Sequence, residues 1–303
     1  MVVLERRTSF DTRVQPAMKL LFLYRGALSS CNYACHYCPF AKHQESAAEH
    51  AKDAVALTKF IQWVTINSQL EISVFFTPWG EALTRKRYQD AMVILSQLEH
   101  VEKVVIQTNL SASLTWLERA NIPKIALWTT YHPNQVSRAR FLKRCNELMI
   151  RGVRFSVGGV ALLEQINDLE QLRAELPKNV YMWLNALDRR GANYYNPENL
   201  ERLKTIDPLF ELNTKRYRSR NQECHAGETV ITVDEHGTVR RCHFIDQAIG
   251  NLYEPNFLEN LKPRVCTRGF CDCHIGYVHM PELGLYDVFE GGILERIPMH
   301  WNL

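Results

Sequence analysis

Apolar residues recur along this chain in two alternating rhythms. Short runs rich in β-branched and aromatic residues predict strands at Lys19–Tyr24, Glu71–Phe76, Lys103–Thr108, Lys124–Thr130, Arg154–Val160 and Tyr181–Ala186. Between them the apolar positions take helical spacing. Leu57, Phe60, Ile61 and Val64 fall at i, i+3, i+4 and i+7 within Ala54–Ile66, and Phe141, Cys145, Leu148 and Met149 make a similar stripe within Val136–Ile150. Cys145 on that stripe reads as a small core residue. Strands alternating with helices predict an α/β chain with a parallel sheet, and an open six-unit (β/α) barrel fits the count. Ligand sites in such sheets gather at the carboxyl ends of the strands.

Beyond residue 207 the rhythm changes. Thr229–Val233 and Thr238–Cys242 flank Asp234-Glu235-His236-Gly237, a β-hairpin with glycine at the turn. The remainder is loop-rich, with cysteines, glycines and prolines, and reads as a small metal-stapled domain. The expected division is a polar extension over 1–17, a barrel over 18–206, and a cysteine-rich domain and tail over 207–303.

Composition narrows the class. With 303 residues, 46% of them hydrophobic, the chain is long enough for a sizeable core. No run approaches the roughly 20 apolar residues of a membrane span. Met1–Arg7 has no apolar segment of the secretory kind, so the chain is expected in the cytoplasm, where thiols stay reduced. A net charge of +3 is too mild to argue for nucleic acid, and the basic stretch Lys215–Arg220 reads as a solvated linker. Of nine cysteines, three lie at 31–38 and five at 224–273, a clustering that suggests metal rather than disulfides.

Cys31, Cys35 and Cys38 follow the first predicted strand with C-x3-C-x2-C spacing. Three thiolates on one short loop can hold three corners of a four-iron cluster and leave the fourth iron open. The alternative is a closed zinc site completed by His36 or His43, although zinc sites usually pair two distant C-x2-C knuckles.

With Tyr37 just before the third cysteine, this loop resembles the signature of the radical S-adenosylmethionine (SAM) enzymes. The resemblance spans roughly residues 18–275 and is nearest a short subgroup opening with Leu23–Tyr33. It implies a partial (β/α)6 barrel, a 4Fe-4S cluster on Cys31, Cys35 and Cys38, and S-adenosylmethionine chelating the open iron. It also implies one-electron cleavage to a 5′-deoxyadenosyl radical that abstracts a substrate hydrogen.

Trp79-Gly80-Glu81 stands where the family has Gly-Gly-Glu to hold the SAM amino group. Trp79 departs from that pattern and crowds the site. Thr108 and Asn109 match the family's SAM-lining Thr-Asn-Gly, and Ser156 and Gly158 lie at its adenine-binding stretch. Tyr131 and His132 are candidate catalytic residues.

Cys224, then Gly237 and Cys242, resemble the opening of the auxiliary-cluster domains called twitch and SPASM. Cys266, Cys271 and Cys273 follow, so five cysteines compete for four positions on a second 4Fe-4S cluster, or on zinc. By the same analogy the expected activity is oxidation or cross-linking of a peptide. The alternatives are a dehydrogenase or epimerase acting on a sugar or alcohol, or a non-catalytic zinc module. A low-potential donor such as flavodoxin or ferredoxin is the expected partner.

Overall fold

The computed structural model describes residues 17–40, 43–187 and 194–301. The extension expected over 1–17 lies outside them, Ala17 apart. Six strands, β1 (Lys19–Tyr24), β2 (Glu71–Phe76), β3 (Val101–Thr108), β4 (Ile125–Thr130), β5 (Arg154–Ala161) and β6 (Met182–Ala186), pair in parallel, each with the next. The helices α1 (Ala47–Ile66), α2 (Lys86–Ser96), α3 (Arg138–Ile150), α4 (Ile166–Glu175) and α5 (Pro197–Ile206) cover the outer face.

Two expectations shift. The first helix starts at Ala47 rather than Ala54, because Ser46 and Glu49 form a reciprocal capping box ahead of the apolar stripe. The link between β3 and β4 carries only short 3-10 turns at Thr115–Arg119 and Ile122–Lys124, the second with Pro123 in it.

After α5 come the short α6 (Glu211–Thr214) and seven further strands: β7 (Tyr217–Arg218), β8 (Glu223–Cys224), β9 (Val230–Val233), β10 (Thr238–Arg240), β11 (Ala248–Asn251), β12 (Arg264–Val265) and β13 (Phe270–Cys271). The expected hairpin forms from β9 and β10, with Gly237 at a φ of 77° in its turn. It also does something the sequence pattern does not announce: β9 lies parallel against β1, from Leu21 opposite Val230 to Tyr24 opposite Val233. The sheet therefore runs β11-β10-β9-β1-β2-β3-β4-β5-β6. The two-residue ribbons β8/β12 and β7/β13 fold the cysteine-bearing loops back on themselves.

Strand alternation gives the sheet two apolar faces. Phe22, Tyr24, Val74 and Phe76 pack outward against the helices, where Phe60 lies 5.6 Å from Phe22 and 4.4 Å from Tyr24 by ring centroid. Truncating a fully buried phenylalanine of this kind costs about 3–5 kcal/mol. Leu23, Phe75, Val105, Trp128 and Trp183 point inward and fill the barrel.

Leu294 and Ile297, near the C-terminus, complete that inner cluster and plug the barrel floor. Between them Glu295 is fully buried and pairs with Lys103 at 2.7 Å and Arg154 at 2.5 Å. Breaking such a pair strands a buried charge at about 3–5 kcal/mol. Among the described residues no helix is long and apolar enough to cross a membrane.

Candidate active site

The loop after β1 is held from three sides. Asp53 of α1, itself fully buried, accepts from Leu28 N at 3.1 Å, Tyr88 Oη at 2.9 Å and Arg87 Nε at 2.6 Å. Glu45 accepts from Ser29 N at 2.7 Å and Ser30 Oγ at 2.5 Å. Glu81 N donates to Ser30 O at 3.1 Å, and Trp79 N to Leu28 O at 3.1 Å. Gly80 permits this approach, since a Cβ there would meet Ser30 O at 1.8 Å. The loop bearing the three cysteines is thereby stitched to the loop after β2.

Cys31, Cys35 and Cys38 all line one cavity of about 480 Å3 at the carboxyl ends of the strands. Trp79, Gly80, Glu81, Thr108 and Asn109 line it too, as do Tyr37 and His132. The three cysteines, His132 and the expected positions at Tyr37, 79–81 and 108–109 therefore line one cavity. Among the described residues, no three His, Cys, Asp or Glu side chains are disposed around a single ion. A four-iron cube instead asks for thiols that ring a space with one side open, and the donor set and cavity fit that group.

Glu81 is buried at the cavity wall. Its Oε1 accepts from Thr108 Oγ1 at 2.8 Å and Leu83 N at 3.2 Å, and its Oε2 from Asn109 N at 2.5 Å. Burial outweighs these donors and pushes its carboxyl up to about 7. Asn109 in turn donates to Asn32 Oδ1 at 3.0 Å, bracing the residue after Cys31.

Tyr37 Oη and His132 Nδ1 share a hydrogen bond of 2.6 Å. Burial pushes the imidazole down to about 4, so the ring is neutral, and raises the phenol well above its ordinary value. The mouth is rimmed by exposed apolar side chains, Phe40, Trp79 and Leu187. Phe40 packs on Trp79 at 4.5 Å, and the Arg25 guanidinium sits 4.0 Å from the Trp79 ring centroid.

Three expected site residues lie elsewhere. Tyr131 is one position out of phase with Thr130 and His132, so it turns away from the cavity and packs on Phe141 at 5.1 Å. Ser156 is buried a layer beneath the cavity, donating to Glu295 O at 2.5 Å and accepting from Trp183 Nε1 at 3.0 Å. Gly158 is covered by the Trp183 ring, which a Cβ there would meet at 2.0 Å. Gln107, Trp128, Trp183 and Asn185, which no motif marks, also line the cavity. Strand alternation is the signal that could have found three of them: Trp128 lies two positions before Thr130, and Trp183 and Asn185 alternate with the outward Met182 and Leu184.

The C-terminal cysteines separate. Cys224, Cys242, Cys266 and Cys271 surround one small pocket of about 20 Å3, whereas Cys273 lines the barrel cavity. Arg241, buried beside Cys224, gives its Nη groups to the carbonyls of Val265 and Arg264, and its Nε makes no hydrogen bond among the described residues. Burial raises the thiols of Cys224, Cys242 and Cys271, and the Arg241 guanidinium offsets this only in part, at the first two. Four cysteines are a donor set known for both zinc and iron–sulfur clusters.

No family model matches the chain, and neither does any curated protein sequence. Solved structures do. The chain is similar to anSMEcpe with bound AdoMet and the Cp18Cys peptide, at 13% identity and a TM-score of 0.52, covering 91% of this chain and 98% of that one. It is also similar to Streptococcus suis SuiB bound to S-adenosylmethionine, at 16% identity and a TM-score of 0.50, covering 80% of this chain and 65% of that one. At such identities the likeness is one of fold: the chain shares the partial-barrel architecture of these two proteins, with the cysteine loop at the mouth of its parallel sheet and a cysteine-rich C-terminal region.

Proposed function

We infer that the protein is a radical SAM enzyme that modifies a peptide. The observation that carries this reading is the convergence of Cys31, Cys35 and Cys38 with Glu81 and Asn109 on one cavity at the carboxyl ends of the strands. The three thiolates would hold a 4Fe-4S cluster with S-adenosylmethionine at its open corner. When bound, that pair supplies hydrogen-atom abstraction from an unactivated C–H bond, at the expense of one electron from a donor of the flavodoxin or ferredoxin class.

The chain's own residues do the positioning. Glu81, held by Thr108, Asn109 and Leu83, offers a buried acceptor at the wall. The bond to His132 fixes the ring of Tyr37. Phe40 and Trp79, packed on each other, give the cavity mouth an apolar edge. The peptide reading is supported by the apolar rim and by the peptide in the anSMEcpe structure. A small-molecule dehydrogenase or epimerase is the second reading, favoured by a cavity of only about 480 Å3.

The second set of ligands is Cys224, Cys242, Cys266 and Cys271, with Cys273 left out. They would hold a second 4Fe-4S cluster over the 207–303 domain, with Arg241 as countercharge. The test is an iron and sulfide count on anaerobically reconstituted protein with Cys31, Cys35 and Cys38 all changed to Ala. About four irons left per chain supports the second cluster. Zinc in place of iron at the second set makes that site structural. Zinc at both sets of the unmodified protein, with S-adenosylmethionine left intact, overturns the radical-SAM reading.

A further inference from the structure

The cavity lining carries a hydrogen-bond donor without a partner among the described residues. In β6 the outward residues Met182 and Leu184 join the helix-side core, so Trp183 and Asn185 point inward. Asn185 lines the cavity, and its Oδ1 accepts from Arg296 Nη1 at 2.9 Å. A guanidinium has no acceptor atom, so the carboxamide can meet Arg296 only with its oxygen. Its amino group, on a side chain that lines the cavity, has no hydrogen-bond partner among the described residues.

Arg296 is built to stay where it is. It is buried at 2% exposure, in a left-handed backbone conformation with φ of 55°, a strained choice for a long side chain. Its guanidinium lies 4.7 Å from the Trp183 ring centroid and 5.6 Å from that of Trp128. The neighbouring Glu295 pins the segment to Lys103 and Arg154. The nearby carboxylate of Asp207 is already taken up by Tyr181 Oη at 2.6 Å and the amides of Leu184 and Leu209. Of the described side chains lining the cavity only Glu81 is a carboxylate, and it is engaged at the wall.

The floor therefore shows a reacting molecule two indoles, one unpartnered N–H donor and a cation behind it. We propose that this floor is a substrate subsite, with Asn185 the specificity-determining donor and Arg296 its positioning residue. It takes a carbonyl-type oxygen on a flat group: the amide of a peptide or the carboxylate of a small acid. This rests on the reading of the cavity as the place where substrate reacts.

The test uses the full-length, anaerobically reconstituted chain and three probes of one shape: benzoate, benzamide and benzylamine, with affinities measured by ligand-detected NMR. Benzoate or benzamide is expected to bind about tenfold or more tighter than benzylamine. Asn185→Asp keeps the acceptor for Arg296, and so the fold, but replaces the unpartnered donor with an anion. It is expected to cost those probes about tenfold or more and to favour benzylamine. Binding of both oxygen probes points to an amide carbonyl, and of benzoate alone to a small acid.

Arg296→Met is expected to weaken the oxygen probes several-fold, and Arg296→Lys to restore them, at unchanged iron content. The proposal is overturned if no probe binds, if benzylamine binds as well as benzoate, or if Asn185→Asp leaves the oxygen probes unchanged. None of these measurements needs turnover, so iron counts on the same preparations let the radical-SAM reading fail separately.

Discussion

Gly80→Ala is the sharpest small perturbation the structure offers. The added Cβ would stand 1.8 Å from Ser30 O, where real Cβ contacts essentially never fall below 3.0 Å, so one of the two loops must move by about 1.2 Å. The obstacle is backbone, and the next residue is Cys31. A shift of that size breaks the 3.1 Å bond from Glu81 N to Ser30 O. Overpacking costs about 1–3 kcal/mol and a stranded buried N–H about 1–3 more. A loss of roughly 2–6 kcal/mol, confined to two loops, leaves the barrel core intact but frees the loop that must present three thiols together. The assay is an iron count after anaerobic reconstitution, with the melting curve as control. Gly80→Ala should lose the same iron as the triple cysteine variant, about four per chain, while still unfolding cooperatively. Full iron content in Gly80→Ala would refute the claim that this close approach positions the cysteine loop.

Further outcomes follow from single side chains. Cys273→Ala should keep the iron of both sets, whereas Cys271→Ala should lose that of the second; equal loss in both would return Cys273 to the ligands. Glu81 has a folded pKa of about 7 against an ordinary 4.5, so its neutral form is favoured by folding. Its contribution is full below the unfolded value and is lost as pH rises towards 7, a swing of about 3 kcal/mol. Urea midpoints of the apo chain should fall across that window, and Glu81→Gln should flatten the slope. His132, pushed down to about 4, stays neutral near neutrality. Its replacement by Asn should therefore lower the rate of S-adenosylmethionine cleavage without removing any inflection near pH 6.5.

The sequence discloses the parts of this molecule that depend on local periodicity. β1 and β2 run where their apolar runs place them, and Cys145 is the fully buried core residue its stripe implies. The convergence of the cysteine loop with Glu81 and Asn109 follows from their shared place after successive strands. What periodicity cannot show is contact between distant segments. The pairing of β9 with β1 joins residues about two hundred positions apart. The floor plug at Leu294–Ile297 has no rhythm of its own, and Arg296 earns its place only through Trp128, Trp183 and Asn185. Tyr131 and Ser156 mislead for a different reason: proximity in sequence to a strand end says nothing of which face, or which layer, a side chain occupies. Likewise, five C-terminal cysteines cannot be sorted into four and one until β8/β12 and β7/β13 fold back.

The central claim is that this cavity cleaves S-adenosylmethionine by one-electron chemistry. The most direct measurement is 5′-deoxyadenosine, quantified by mass spectrometry after anaerobic reconstitution and reduction with dithionite. The unmodified chain should yield 5′-deoxyadenosine, and the Cys31→Ala, Cys35→Ala, Cys38→Ala variant none. Intact S-adenosylmethionine from an iron-loaded, reduced chain, or equal 5′-deoxyadenosine from the triple variant, would contradict it.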